Sequence, residues 1–142
     1  MKGFTLLEII LSVAIITIIA TITPPAYEKL HSKISFDSTI DTYVSYIYRA
    51  QKLSQTNKLN SSWGTKIQNN KIILFKGSSF NTRDVTYDEE FSILSNIEIN
   101  GDSEVVFSKL YGYPNTEINT SITNGQGNTK TIKINKKGLI DY

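Results

Sequence analysis

The chain has 142 residues, a formal net charge of +2, one histidine and no cysteine. Lack of cysteine excludes a disulfide framework, thiolate metal sites and thiol catalysis, and a single histidine excludes a multi-histidine metal centre. A charge so near balance gives no global argument for nucleic acid or an acidic substrate.

Met1-Lys2-Gly3 leads into Phe4-Thr5-Leu6-Leu7-Glu8 and then an almost purely apolar run from Ile9 to Ile22. About 20 such residues are the length of a helix that crosses a bilayer's hydrocarbon core. Glu8 is the one charge in the run. A carboxylate costs roughly 2.5–3.5 kcal/mol at the centre of a membrane helix and less nearer the interface, so Glu8 predicts a partner in the working state. A secretory signal peptide fits poorly, because its apolar core is usually about 7–15 residues and ends at a small-residue cleavage site. This run is longer and enters Pro24-Pro25. Lys2 ahead of the span predicts a cytoplasmic N-terminus, with everything after about Pro24 outside the cytoplasm. Pro24 and Pro25 remove two backbone donors and disfavour helical geometry before each ring. They read as a helix end at the membrane surface or as a kink within a longer helix.

Gly3-Phe4-Thr5-Leu6-Leu7-Glu8 resembles the class III signal of type IV prepilins and type II secretion pseudopilins. The resemblance implies cleavage between Gly3 and Phe4 by a prepilin peptidase, N-methylation of Phe4, and a role for Glu8 in filament assembly. It also favours the kink at Pro24 and Pro25. Cleavage frees an α-amino group with a pKa of about 7.7–8.0, mostly protonated at neutral pH. The Phe4 ammonium of an incoming subunit would then neutralise Glu8 of an assembled one, the pairing a buried carboxylate needs. Implied partners are other pilin or pseudopilin subunits, the peptidase, an assembly platform protein and the membrane, crossed once. The implied location is the cytoplasmic membrane, then a filament in the periplasm or at the cell surface.

From Tyr27 to about Asn57 the pattern becomes amphipathic. Tyr27, Leu30 and Ile34 keep 3–4 spacing, and Phe36, Ile40, Tyr43, Ile47 and Ala50 repeat it in a shifted register. That is a helix with one face on a folded domain, changing its burying partner near Ile34 to Phe36. Beyond Asn57 the period becomes two. Strands are predicted at Trp63 to Gln68 and Lys71 to Lys76 around an Asn69-Asn70 turn, then at Glu90 to Leu94, Ile97 to Asn100, Glu104 to Phe107, Asn119 to Thr123 and Thr129 to Asn135. The fold class is α+β: a long N-terminal helix, transmembrane in its first half and amphipathic in its second, packed on a small, mostly antiparallel β-sheet domain. The expected organisation is a leader at 1–3, a transmembrane assembly helix at 4–23, its amphipathic continuation at 24–58 and an exported β domain at 59–142. Arg49-Ala50-Gln51, the first hairpin, Phe107, Gly112 and the closing Ile132-Lys133-Ile134-Asn135 with Gly138 resemble GspH/FimT-type minor pseudopilins. The missing C-terminal disulfide argues against an adhesive major pilin.

Chemistry-bearing residues are sparse. His31 lies between Lys29 and Lys33 on the charged helix segment and reads as a solvated side chain. Asp84, Asp88, Glu89 and Glu90 lack the alternate ligands and central glycine of an EF-hand, so they read as a solvated loop. Asn124-Gly125-Gln126-Gly127-Asn128 reads as a flexible turn. Lys130, Lys133, Lys136 and Lys137 read as solvated lysines on and after a strand, with nucleic-acid binding as the alternative. No catalytic set, cofactor site or metal site emerges. The expected function is non-enzymatic: a structural minor pilin or pseudopilin of a type IV pilus or type II secretion-like filament. The alternative is a tip-located ligand- or DNA-binding minor pilin in adhesion or DNA uptake.

Overall fold

The computed structural model describes residues 3–21, 27–93 and 97–142, and carries 22–26 as helical backbone only. The chain divides into two compact units, Met1–Ser35 and Phe36–Tyr142. One helix, α1 (Leu6–Gln55, 50 residues), contributes to both. The kink expected at Pro24 and Pro25 lies outside the described residues.

In the first unit α1 begins at a polar cap. Thr5 Oγ1 accepts the Glu8 N–H at 3.3 Å, as an N-cap side chain does for a donor left over in the first turn. From Leu6 to Thr21 the large apolar side chains are exposed, from 77 % at Leu6 down to 50 % at Ile15. Among the described residues no helix is long and apolar enough to cross a membrane. Leu6–Thr21 spans roughly 24 Å of helix axis, against the ~30 Å of a hydrocarbon core.

The second unit starts where the apolar register slips. Phe36, Ile40, Tyr43, Val44, Ile47 and Ala50 recur at helical spacing, and each is at most 3 % exposed. They share one core with Trp63, Ile72, Leu74, Phe107, Ile122, Ile132 and Ile134. Lys52 stands in the last turn, where a cation complements the helix dipole. Asn57, at φ 50°, then turns the chain out in the left-handed region that Asn tolerates. The helix therefore stops at Gln55, slightly before the predicted boundary.

Eight strands are described: β1 (Trp63–Gln68), β2 (Lys71–Lys76), β3 (Asp84–Ser92), β4 (Ile97–Gly101), β5 (Glu104–Phe107), β6 (Ile118–Asn124), β7 (Thr129–Ile134) and β8 (Ile140–Asp141). The expected antiparallel β domain is built as two four-stranded antiparallel sheets, ordered β3-β2-β1-β5 and β4-β6-β7-β8. The β1–β2 hairpin has the predicted register, Gln68 opposite Lys71, and its turn residues Asn69 and Asn70 take φ 52° and 57°. Gly64 on β1 has a packing reason: a Cβ there would stand 2.6 Å from Phe75 Cζ and 2.6 Å from the Val105 carbonyl oxygen.

Two further expectations need correction. The acidic segment 84–90 is not a loop. It forms most of β3, the edge of the first sheet, by antiparallel pairing with β2, and each carboxylate there meets a cation: Asp84–Lys76 at 3.3 Å, Asp88–Arg83 at 2.7 Å, Glu89–Arg49 at 2.6 Å and Glu90–Lys71 at 2.6 Å. β8 was not predicted, since two residues carry no readable periodicity. It forms by pairing Ile134 with Ile140 and Lys133 with Asp141.

Candidate functional site

The N-terminal segment holds the residues singled out in the sequence. Phe4 is 79 % exposed, and nothing lies within 4 Å of a Cβ built on Gly3. Glu8 is exposed. It occupies the third helical position after Thr5, so Thr5-Leu6-Leu7-Glu8 has capping-box spacing. An acid in the first turn also meets the positive end of the helix dipole.

The few polar side chains of this apolar segment are closed on their own helix. Ser12 Oγ donates to the Glu8 carbonyl at 2.7 Å, Thr17 Oγ1 to Val13 at 2.8 Å and Thr21 Oγ1 to Ile18 at 2.9 Å. Each hydroxyl thus has an acceptor without help from water. What remains outward is hydrocarbon on every side, and Glu8 is the one carboxylate between Phe4 and Thr21. A helix apolar all round belongs inside a protein assembly or a membrane.

The second unit carries its own polar anchor, which the sequence did not reveal. Ser54 is fully buried. Its Oγ accepts the Trp63 N–H at 2.9 Å and donates to the Phe107 carbonyl at 3.1 Å, while its own carbonyl accepts the Leu110 N–H at 2.9 Å. One turn earlier, Gln51 Nε2 donates to the carbonyls of Gly112 and Gly138 at 3.1 and 2.8 Å. These contacts tie the end of α1 to β1, to the loop after β5 and to the turn before β8. A polar residue at helical spacing gives no sign of such partners, because its spacing is also that of a solvated face.

Tyr43 lies in the same core. Burial pushes its phenol well above the usual tyrosine range, and the neighbouring Thr65 hydroxyl offsets part of that. Thr65 Oγ1 is buried and the two hydroxyls meet too loosely for a well-formed hydrogen bond.

The outward face of the first sheet bears a small second cluster of Ile73, Phe75, Phe80 and Val106. Lys66 Nζ and the Arg83 guanidinium stand 4.6 and 3.7 Å from the Phe80 ring centre. An open cavity of about 270 Å³ adjoins it, lined by Lys71, Phe80, Arg83 and Glu90 among others. Its charges are already matched within the chain by the Arg83–Asp88 and Lys71–Glu90 pairs. The other residues weighed in the sequence lie apart from these features. His31 is exposed, its ring 6.0 Å from Tyr27. Lys130, Lys133, Lys136 and Lys137 are all exposed on β7 and the turn after it.

No protein-family model, characterised protein or solved structure matches this chain.

Proposed function

We propose that this chain is a structural filament subunit, a minor pilin or pseudopilin of a type IV pilus or type II secretion-like machine. The observation that carries the proposal is the segment from Phe4 to Thr21. It is apolar on every side, its hydroxyls are satisfied internally, and it retains one carboxylate at Glu8. In this reading the apolar run from Ile9 to Ile22 makes a single membrane crossing, with the β-rich unit outside the cytoplasm because Lys2 precedes the run. A prepilin peptidase would cut between Gly3 and Phe4 and methylate the new amine. The Phe4 ammonium of the next subunit would then pair with Glu8 as the apolar helices pack together, fixing their register. Ser12, Ala14 and Ala20 are small enough to let helices approach closely. Before assembly, Glu8 would serve the helix N-terminus; afterwards it would serve the neighbour. The assembly platform and fellow subunits are the proposed partners, and no enzymatic role is proposed.

Glu8→Ala tests this directly. Loss of the first-turn acid costs the helix only about 0.3–1 kcal/mol, and removing a charge eases insertion by up to roughly 2.5–3.5 kcal/mol. The variant should therefore insert normally and be absent from filaments. Wild-type incorporation would overturn the pairing mechanism. A tip-located binding subunit is the second reading. It is favoured by the stacked pair Tyr111 and Tyr113, 68 % and 50 % exposed with ring centres 5.8 Å apart. Replacing both by Ala would abolish ligand adhesion in that case and leave it intact in the first.

A further inference from the structure

The turn joining β6 to β7 reads Asn124-Gly125-Gln126-Gly127-Asn128. The sequence suggests a flexible connection, whereas the structure shows a closed hydrogen-bonded one. Asn124 is only 8 % exposed. Its Oδ1 accepts three N–H bonds, from the backbone of Gln126 at 3.0 Å, the backbone of Asn128 at 3.0 Å and Asn128 Nδ2 at 3.3 Å. These donors fix the orientation of the amide, since exchanging its two ends would set N–H against N–H. Nδ2 is left buried without an acceptor. A stranded donor of this kind is unfavourable. A carboxylate in the same place would keep all three bonds and remove the stranded group.

The same arrangement bears on reactivity. When a nucleophile adds to the Asn124 amide carbon, negative charge develops on Oδ1. Donors already aimed at that oxygen stabilise it, as in an oxyanion hole. The adjacent nucleophile is the backbone nitrogen of Gly125, which has no side chain to shield it. We propose that Asn124 is a self-modifying site, at which the folded turn promotes conversion of the side-chain amide to a carboxylate.

The Gly125 nitrogen loses its proton to solvent hydroxide and bonds to Asn124 Cγ. The Cγ–Nδ2 bond breaks, and Nδ2 takes a proton from water and leaves as ammonia, closing a five-membered imide. Water then adds to Cγ, the Cγ–N bond of the ring breaks, and the Gly125 nitrogen regains a proton. The balance is amide plus water to carboxylic acid plus ammonia; the acid ionises, adding one negative charge to the chain. Water adding at the backbone carbonyl would instead give a β-linked residue. That oxygen accepts the Gly127 N–H at 2.9 Å, against the three donors on Oδ1. The fold therefore directs ring opening towards ordinary α-linked aspartate.

The test is peptide mapping of the full-length chain in detergent, incubated at neutral and mildly alkaline pH, folded and in denaturant. Conversion at Asn124 should run several-fold faster in the folded chain, rise with pH and yield mainly α-linked aspartate. Asn128→Ala, which removes one of the three donors, should slow the folded chain several-fold and leave the denatured rate unchanged. Conversion no faster in the folded chain than in the denatured one, or a mainly β-linked product from the folded chain, would overturn the proposal. Because the wild-type comparison needs no variant, a poorly folding Asn128→Ala chain would not blunt the test.

Discussion

Replacing Ser54 with Ala isolates the polar anchor between helix and sheets. The change removes one oxygen from a fully buried position. It leaves the Trp63 N–H and the Phe107 carbonyl, at the paired ends of β1 and β5, without the partners they have at 2.9 and 3.1 Å. Each buried group left unmatched costs about 1–3 kcal/mol, so a loss of about 2–6 kcal/mol is expected for the two. That is a large fraction of the roughly 5–15 kcal/mol that holds a domain together. With each kcal/mol worth about 4–8 °C for a domain near this size, the midpoint of melting should fall by at least about 8 °C. Urea unfolding of the full-length chain in detergent, followed by the fluorescence of Trp63, provides the readout. Trp63 is the only tryptophan and is 4 % exposed. Ser45→Ala is the control, because the exposed Ser45 hydroxyl only donates to the Thr42 carbonyl in its own helix. A loss at Ser54 below about 0.5 kcal/mol, the usual range for surface changes, would refute the anchoring role.

Three other outcomes follow from the second unit. Gly64→Ala should destabilise it by about 1–3 kcal/mol, because the added methyl meets the Val105 carbonyl as well as the Phe75 ring; a melting midpoint equal to wild type would contradict the packing described. Unfolded Tyr43 releases its proton near 10.0, whereas the folded phenol holds its proton to higher pH. Stability should therefore be intact below that value and decline as pH rises beyond it, and Tyr43→Phe should flatten this limb in an alkaline unfolding series. Asp84 behaves oppositely: the Thr86 and Lys76 side chains hold its carboxyl below 3.8. Its contribution is present above that value and fades as pH falls through the lower folded value, so Asp84→Asn should slightly reduce the acid dependence of the melting midpoint.

The sequence revealed those features whose cause is local. The period-two runs of β1 and β2 around Asn69-Asn70 predict both strands and the turn, because Asn tolerates positive φ and the alternation sets the register. The slip between Ile34 and Phe36 likewise marks where burial on α1 begins. Non-local features stayed hidden. The acids of β3 look like a solvated loop until Arg49, Lys71, Lys76 and Arg83 arrive from elsewhere to pair with them. β8 exists only because the turn held by Gln51 returns Ile140 to Ile134. Division into two sheets is likewise a matter of which edges meet, which alternation along one strand does not encode. At the candidate site, residue identities at Gly3, Phe4 and Glu8 were legible, as was the apolar run. The local closure of Ser12, Thr17 and Thr21 was not, because a hydroxyl's acceptor depends on its rotamer.

The proposed role rests on what happens at Gly3-Phe4, and the intact mass of the protein purified from its native membrane tests it most directly. The account predicts loss of Met1-Lys2-Gly3 and one added methyl group on Phe4. A mass that retains Lys2 and Gly3 in cells carrying an active prepilin peptidase would contradict it, because Phe4 would then have no free amine to offer Glu8 of its neighbour.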